Sequence, residues 1–533
     1  MRIALLLTVA TLIATPARGN QPVTAPRPNI VVILADDMGY SDLGCYGSEI
    51  STPNLDRLAA GGLRFTQFYN AGRCCPSRAS LLTGLQPHQA GVGAMVDDYA
   101  KATRERLNSP AYQDHLSATC VTIPEVLKPA GYRTLMCGKW HLGYRPAEWP
   151  ARRGFDRSLV QVDGAINYFG VGVQHKGGDV PPMALDDRPY EPPRDGFFTT
   201  DAYSAQAAEW VSESAKAGTP FFLYLAYNAP HWPLHAPAED VAKYRGKYRG
   251  SWQAVRVARH RRQLELGVVD ARWGMAPMDR GAVKPWDQLD EAARDEWDLK
   301  MAVYAAQVER MDRGIGRVLD AVRAAGAEQN TLVLFLSDNG GAAENPNKSR
   351  PGAETGTRDS YVGYARPWAT VSNTPLRLHK QRVHEGGISA PAILSWPGRV
   401  KSPGSVTKQV AHLVDVMATC VEVAGATYPA QKDGTPVPPM EGVSLLPVLS
   451  GGELPGRVLG WEHEGHRAVR RGDWKLVSVH GRPWELYDVG ADRCESKDLA
   501  SSQPERAAAL EREYSAWASR CGVLPWPGAG RGN

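Results

Sequence analysis

The sequence predicts an α/β protein: a large domain with a mostly parallel mixed sheet covered by helices, then a small C-terminal α+β domain with an antiparallel sheet. Three observations predict it. Four short apolar runs end abruptly in polar residues, helix-like segments lie between them, and beyond residue 452 the chain changes to alternating runs joined by a Gly-containing turn. The four runs are NIVVILA (29–35), leading into Asp36 and Asp37; RTLMCG (133–138), into Lys139 and His141; FFLYLAYN (221–228), into His231; and TLVLFLS (331–337), into Asp338 and Asn339. Continuous apolar strands alternating with helices imply a parallel sheet covered on both faces. The carboxyl ends of such strands share one edge, where ligands bind, so the four polar clusters are expected to converge.

The remaining elements follow in chain order. TPNLDRLAAGG (52–62) reads as a helix, with Pro53 in its first turn and Gly61 at its end. Met301, Tyr304, Val308, Met311, Ile315, Val318 and Val322 recur at spacings of three and four, marking an amphipathic helix within 290–325. Residues 342–375 are polar and rich in Gly, Pro, Asn and Ser, as expected of a long site-lining loop. RAVRRGDWKLV and PWELYDV supply the antiparallel strands of a small domain over 451–525, and 526–533 is expected to be a disordered tail.

Composition narrows the function class. With 43% hydrophobic and 22% charged residues in 533, the chain is neither disordered nor fibrous. Its formal charge of +4 is too near neutral to argue for nucleic acid. Residues 1–19 read as a secretory signal peptide: Arg2, an apolar stretch from Ile3 to Ile13, and small residues around Ala17 and Gly19. That stretch is too short to span a bilayer, so the expectation is an exported protein, periplasmic or secreted, without membrane insertion.

Asp36, Asp37, Asp338 and Asn339 offer hard oxygen ligands at two strand ends, a set that suits Ca²⁺ or Mg²⁺ better than zinc. Either pair alone reads equally as a turn. His231 in NAPHWPLHAP has His235 as a competitor; Lys139 and His141 share one side of an extended segment; Lys380 and Glu385 precede a Gly-Gly turn. Trp232 and Trp368 fit either ring stacking or packing. The run KYRGKYRGSWQAVRVARHRR (243–262) has eight basic residues and no acidic one, which reads as a solvated helix face ahead of a docking site for sulfated polymers. Cys74 and Cys75 fit a disulfide framework, as do Cys494 and Cys521, although sequence does not fix connectivity.

The segment AGRCCPSRASLLTG (71–84) has a more specific reading. Cys74, Cys75, Pro76, Ser77 and Arg78, then Leu82, Thr83 and Gly84, give C-x-P-S-R-x-x-x-L-T-G. With the early Asp-Asp, TPNLDRLA, GKWHLG, NAPHWP, SDNGG and a Lys five residues before EGG, the chain resembles the type I, formylglycine-dependent sulfatases of the alkaline-phosphatase-like superfamily. The resemblance covers about 28 to 500, and SNTPLRLHKQRVHEGGISAP is similar to the bacterial arylsulfatase branch.

The resemblance implies an alkaline-phosphatase-like catalytic domain over 26–450. It implies that a formylglycine-generating maturation enzyme oxidises Cys74, two residues before the proline and four before the arginine, to an aldehyde whose hydrate attacks sulfur. By resemblance, Asp36, Asp37, Cys74, Asp338 and Asn339 hold one Ca²⁺, with Mg²⁺ the alternative. Arg78 stabilises the diol, Lys139 reaches metal-side and sulfate oxygens, His141 is the base for elimination, and His231 and Lys380 serve the leaving group as proton donor and sulfate clamp. The resemblance implies a sulfate monoester substrate of the arylsulfatase type, with a sulfated carbohydrate as the candidate natural substrate. The rival readings are a phosphonate or phosphate monoester hydrolase of the same superfamily and a non-catalytic binder of sulfated glycans.

Overall fold

The computed structural model describes residues 27–175 and 183–527; the leader at 1–19 lies outside them. The central sheet contains β1 (Asn29–Ala35), β2 (Leu63–Phe65), β3 (Arg133–Lys139), β4 (Arg157–Gln161), β5 (Met183–Leu185), β6 (Arg188–Pro189), β7 (Phe221–Ala226), β8 (Thr331–Ser337), β9 (Ala392–Ser395) and β10 (Ser405–Thr407). Their order is β10-β2-β9-β8-β1-β7-β3-β4-β5-β6. The run from β8 to β4 is parallel, and antiparallel pairings on both flanks make the sheet mixed.

Strand side chains alternate between two cores. Val31, Ile33, Leu223, Leu225 and Phe335 pack in one, while Ile30, Val32, Leu34, Phe222 and Tyr224 pack in the other. This is why the strands read as continuous apolar runs. The helices include α1 (Pro53–Ala60), α2 (Cys74–Thr83), α3 (Thr199–Lys216), α4 (Trp252–Glu265), α5 (Glu291–Ala324), α6 (Ala365–Ser372) and α7 (Pro504–Cys521). α3 and α5 cover the first face, and the seven apolar residues expected on α5 are all buried. α2 packs on the other face through Ala79, Leu81 and Leu82.

Register brings the polar clusters together. Ala35 pairs with Ser337, so Asp36–Asp37 and Asp338–Asn339 leave neighbouring parallel strands side by side. Gly138 pairs with Ala226 at φ +117°, and a Cβ there would lie 1.8 Å from the Ala226 carbonyl oxygen. Only glycine allows β3 to run this close to β7 and deliver Lys139 to the same edge.

The small sheet consists of β11 (Val458–His463), β12 (His466–Arg471), β13 (Trp474–Ser478) and β14 (Glu485–Asp488), antiparallel throughout and backed by α7. Three expectations need revision. Residues 365–372 of the supposed long loop are helical, because Trp368 is fully buried with its indole donating to the Trp297 carbonyl at 3.0 Å. Cys494 and Cys521 are not bonded: one faces the Gly274 carbonyl and the other packs behind the small sheet, and all eight cysteines are free and buried. The first residue of the expected tail is docked, since Trp526 packs with Leu524 beside Tyr112; 528–533 lies outside the described residues.

The basic run keeps the expected solvated face at six of its eight Lys and Arg residues, which are exposed, and several of these are also ion-paired. Lys243 meets Glu309, Arg245 meets Asp295, Arg249 meets Glu291, and Arg259 is buried against Asp42 at 2.7 Å and Glu49 at 2.8 Å. Arg256 is also buried, donating to the Ala276 carbonyl. Among the described residues, no helix is long and apolar enough to cross a membrane.

Candidate active site

The site is assembled from strand ends and one helix start. Arg73 is extended and Cys74 begins α2, where the first-turn amides carry the positive end of the helix dipole. The turn before it is fixed: Ala71 N–H donates to Ser77 Oγ at 2.9 Å and Trp461 Nε1–H to the Asn70 carbonyl at 2.7 Å. Asp37 and His141 both sit in the left-handed region, at φ 67° and 55°. Such backbone is costly for non-glycine residues and persists where surrounding structure holds it.

Arg78 is fully buried behind the site. Its Nη2 lies 2.7 Å from Asp338 Oδ2 and 3.5 Å from Asp36 Oδ1, and its Nη1 donates to the Lys139 carbonyl. Lys139 Nζ is 2.7 Å from Asp36 Oδ2; Lys380 Nζ is 2.8 Å from Asp37 Oδ1 and 3.2 Å from His231 Nε2. Asn339 Nδ2 donates to Asp37 Oδ1 at 2.6 Å. Asp36, Asp37, Cys74 and His231 bring potential ligand atoms within 4.8 Å of one another.

Three buried carboxylates thus face three cationic side chains. Burial and the neighbouring Asp338 push the Asp36 carboxyl well above its ordinary range, whereas Arg78, Lys139 and Lys380 outweigh burial at Asp338 and lower it. Burial works against charge on both lysines, but Asp36 keeps Lys139 protonated and Asp37 does so for Lys380. Asp36 Oδ1 and Asn339 Oδ1 are buried without a hydrogen-bond partner, the Arg78 guanidinium standing 3.5 Å from the former. Orphaned hard oxygens beside carboxylates fit a divalent cation.

Both histidines are neutral at rest. Burial lowers His231 strongly and Lys380 lowers it further; burial lowers His141, with Asp97 partly offsetting it. His231 Nδ1 faces the Trp232 carbonyl, which only accepts, so Nε2 accepts from the Lys380 ammonium, with Asp37 Oδ2 3.4 Å away. A cavity of about 240 Å³ opens over Cys74, bounded by Arg73, Asp97, His141, His231, Trp232, Glu344 and Lys380. His235 is structural, buried between Tyr168 and the Ser360 carbonyl. Glu385 lies in the packing of the small sheet, where Lys475 meets it at 2.9 Å.

Asp97, Glu344 and Arg73 were not anticipated from sequence. Glu344 Oε1 pairs with Arg73 at 2.9 Å, while its Oε2 accepts from Trp232 Nε1 and lies 3.3 Å from Lys380. Arg73 adjoins the motif, and Glu344 falls in the stretch expected to line the site; Asp97 carries no comparable signal.

Residues 28–426 match the sequence profile described as Sulfatase. The chain belongs to the sulfatase family. Its reaction class is therefore sulfuric ester hydrolysis, and its fold is the alkaline-phosphatase-like one. Among similar sulfatases are an arylsulfatase of Klebsiella aerogenes, 33% identical over 80% of this chain and 93% of that one, and an N-acetylgalactosamine-6-sulfatase of Canis lupus familiaris, 29% identical over 92% and 79%. A sulfatase of Schizosaccharomyces pombe is 33% identical over 95% and 96%. The solved structure of Ps i-CgsB superposes with a TM-score of 0.69 and 27% identity, covering 94% of each chain.

Proposed function

We propose that this sulfatase hydrolyses sulfate monoesters through Cys74 matured to formylglycine, beside a Ca²⁺ ion held by Asp36, Asp37, Asp338 and Asn339. One observation carries the reading: Asp36 and Asp37, paired with the protonated Lys139 and Lys380, bring ligand atoms within 4.8 Å of Cys74 and His231, and Cys74, His231 and Lys380 line one cavity. The cation, when bound, supplies positive charge for the anionic ester and its developing charge; Mg²⁺ shares the preference for oxygen. The hydrated aldehyde supplies one hydroxyl for attack on sulfur and a second through which sulfate is later expelled.

The remaining work falls to this chain's own side chains. Lys139 and Lys380 bind ester oxygens, and Arg78 holds Asp36 and Asp338 in place. The neutral His141 accepts the proton in the elimination step. The proton for the departing alcohol resides in the Lys380–His231 pair, with the charge on Lys380 at rest. Cys74 is only 1% exposed, so a maturation enzyme acts on the chain before folding buries the thiol. That order agrees with the export expected from the leader.

The natural substrate is a sulfated carbohydrate on this reading. Ps i-CgsB has been solved with k-i-k-neocarrahexaose, and that complex is 26% identical to this chain with a TM-score of 0.69. Turnover of phenyl sulfate and of the phenyl monoester of methylphosphonic acid, with Ca²⁺ and after chelation, tests the proposal. Sulfate ester should be the faster substrate, chelation should suppress it and Ca²⁺ restore it, and Cys74→Ala should abolish it. Faster phosphonate turnover would move the chain to the phosphonate hydrolases; hydrolysis surviving in Cys74→Ala would refute the nucleophile.

A further inference from the structure

The His141 ring is held from two sides. Asp97 Oδ1 lies 3.1 Å from Nε2, and Gly164 passes so close that a Cβ there would sit 2.6 Å from His141 Cε1. Asp97 is itself held, because the Tyr144 hydroxyl donates to the same Oδ1 and lies 3.2 Å from Asp163 Oδ1. Asp163 Oδ1 also accepts from the Gly164 amide at 2.6 Å, tying this chain of contacts back to the strand end that presses on the ring.

A carboxylate oxygen accepts, so the nitrogen facing Asp97 carries the hydrogen and the other keeps its lone pair. That other nitrogen, Nδ1, is buried and has no hydrogen-bond partner. His141, Asp97, Gly164 and Cys74 line the same cavity. We infer that Asp97 is a positioning residue for the hydrolysis: it selects the Nε2–H tautomer of His141 and turns the Nδ1 lone pair toward the reacting group, with Tyr144 and Asp163 fixing Asp97. The inference rests on the reading of His141 as the base. The carboxylate also stabilises the imidazolium formed when Nδ1 takes the proton; that proton then passes to water, restoring the neutral ring.

Steady-state kinetics of the mature enzyme on 4-nitrophenyl sulfate test this with Asp97→Asn, Asp97→Glu, His141→Ala and the Asp97→Asn/His141→Ala double variant. Asp97→Asn should lower kcat by about 100- to 10,000-fold, the range spanned by positioned acid–base catalysis, with KM little changed. Asp97→Glu should recover part of the loss. The double variant should be no slower than His141→Ala alone, because Asp97 acts through the ring. Wild-type kcat in Asp97→Asn, or a further loss in the double variant, would overturn the inference.

Nitrogen-15 spectra of ring-labelled histidine, with His141 assigned by its loss in His141→Ala, provide a readout that does not depend on turnover. Nε2–H in the wild type and a mixture of tautomers in Asp97→Asn are expected; Nδ1–H in the wild type would overturn the inference. Full turnover by His141→Ala would sink the reading of His141 as base, and with it the catalytic part of the inference.

Discussion

At the start of α2, Cys74 lines the cavity with Lys380 and His231, while Cys75 turns into the core with its sulfur 3.2 Å from Met95 Sδ. Burial pushes the Cys75 thiol up, so it stays protonated and inert. Cys75→Ala should therefore retain turnover and cost about 1–3 kcal/mol in a denaturation experiment, as core truncations do. Cys74→Ala should do the reverse, abolishing sulfate release with little change in the melting midpoint. Of the residues legible in sequence, Asp36, Asp37, Lys139, His141, Asp338 and Asn339 were placed by strands: each follows an apolar run, and parallel order brings such ends together; Cys74, Arg78, His231 and Lys380 were legible from local motifs. Asp97 and Glu344 come from irregular segments. Their approach to His141 and Lys380 depends on tertiary folding, which has no sequence period.

Helix α4 shows how an element's charge misleads when its partners lie elsewhere in the chain. Its basic run reads as solvated, yet Arg259 is 1% exposed because Asp42 and Glu49, more than two hundred residues earlier, supply the opposite charge. Arg259→Met should lower stability by about 3–5 kcal/mol, since Asp42 would be left buried without its cation. Exposed Arg262 on the same helix should tolerate alanine within about 0.5 kcal/mol. Chemical denaturation of the two variants checks the contrast, and equal losses would contradict the assignment. Helix α6 is the complementary case: polar neighbours suggested a loop, but the burial of Trp368 outweighed that local texture.

Across the whole molecule, the small sheet braces the turn that follows Lys380. Glu385 takes Lys475 from β13 at 2.9 Å, Arg493 at 3.0 Å and the Tyr69 hydroxyl at 2.8 Å, and Lys475 also reaches Glu495. Burial alone would raise the Glu385 carboxyl, but Lys475 and Arg493 hold it down at about 2. The folded value lies below the ordinary value of 4.5, so this contribution to stability is fully present above pH 4.5 and is lost as pH falls toward 2. Thermal melts should show Glu385→Gln less stable at neutral pH and with a flatter loss through that acid window; a loss as steep as the wild type's would exclude this group. The large parallel sheet and the small antiparallel one were legible because their apolar patterns differ, but the ionic seam was not, since it joins Tyr69, Glu385, Lys475 and Arg493 across four distant segments.

The central claim is that Cys74 is a maturation site rather than a thiol. Mass spectrometry of the peptide containing residue 74, taken from enzyme whose sulfate-ester turnover is measured in the same preparation, tests it most directly. The account predicts that the mass change from thiol to aldehyde appears at Cys74 and never at Cys75, with turnover proportional to the converted fraction. An unmodified Cys74 thiol throughout a fully active preparation would contradict it.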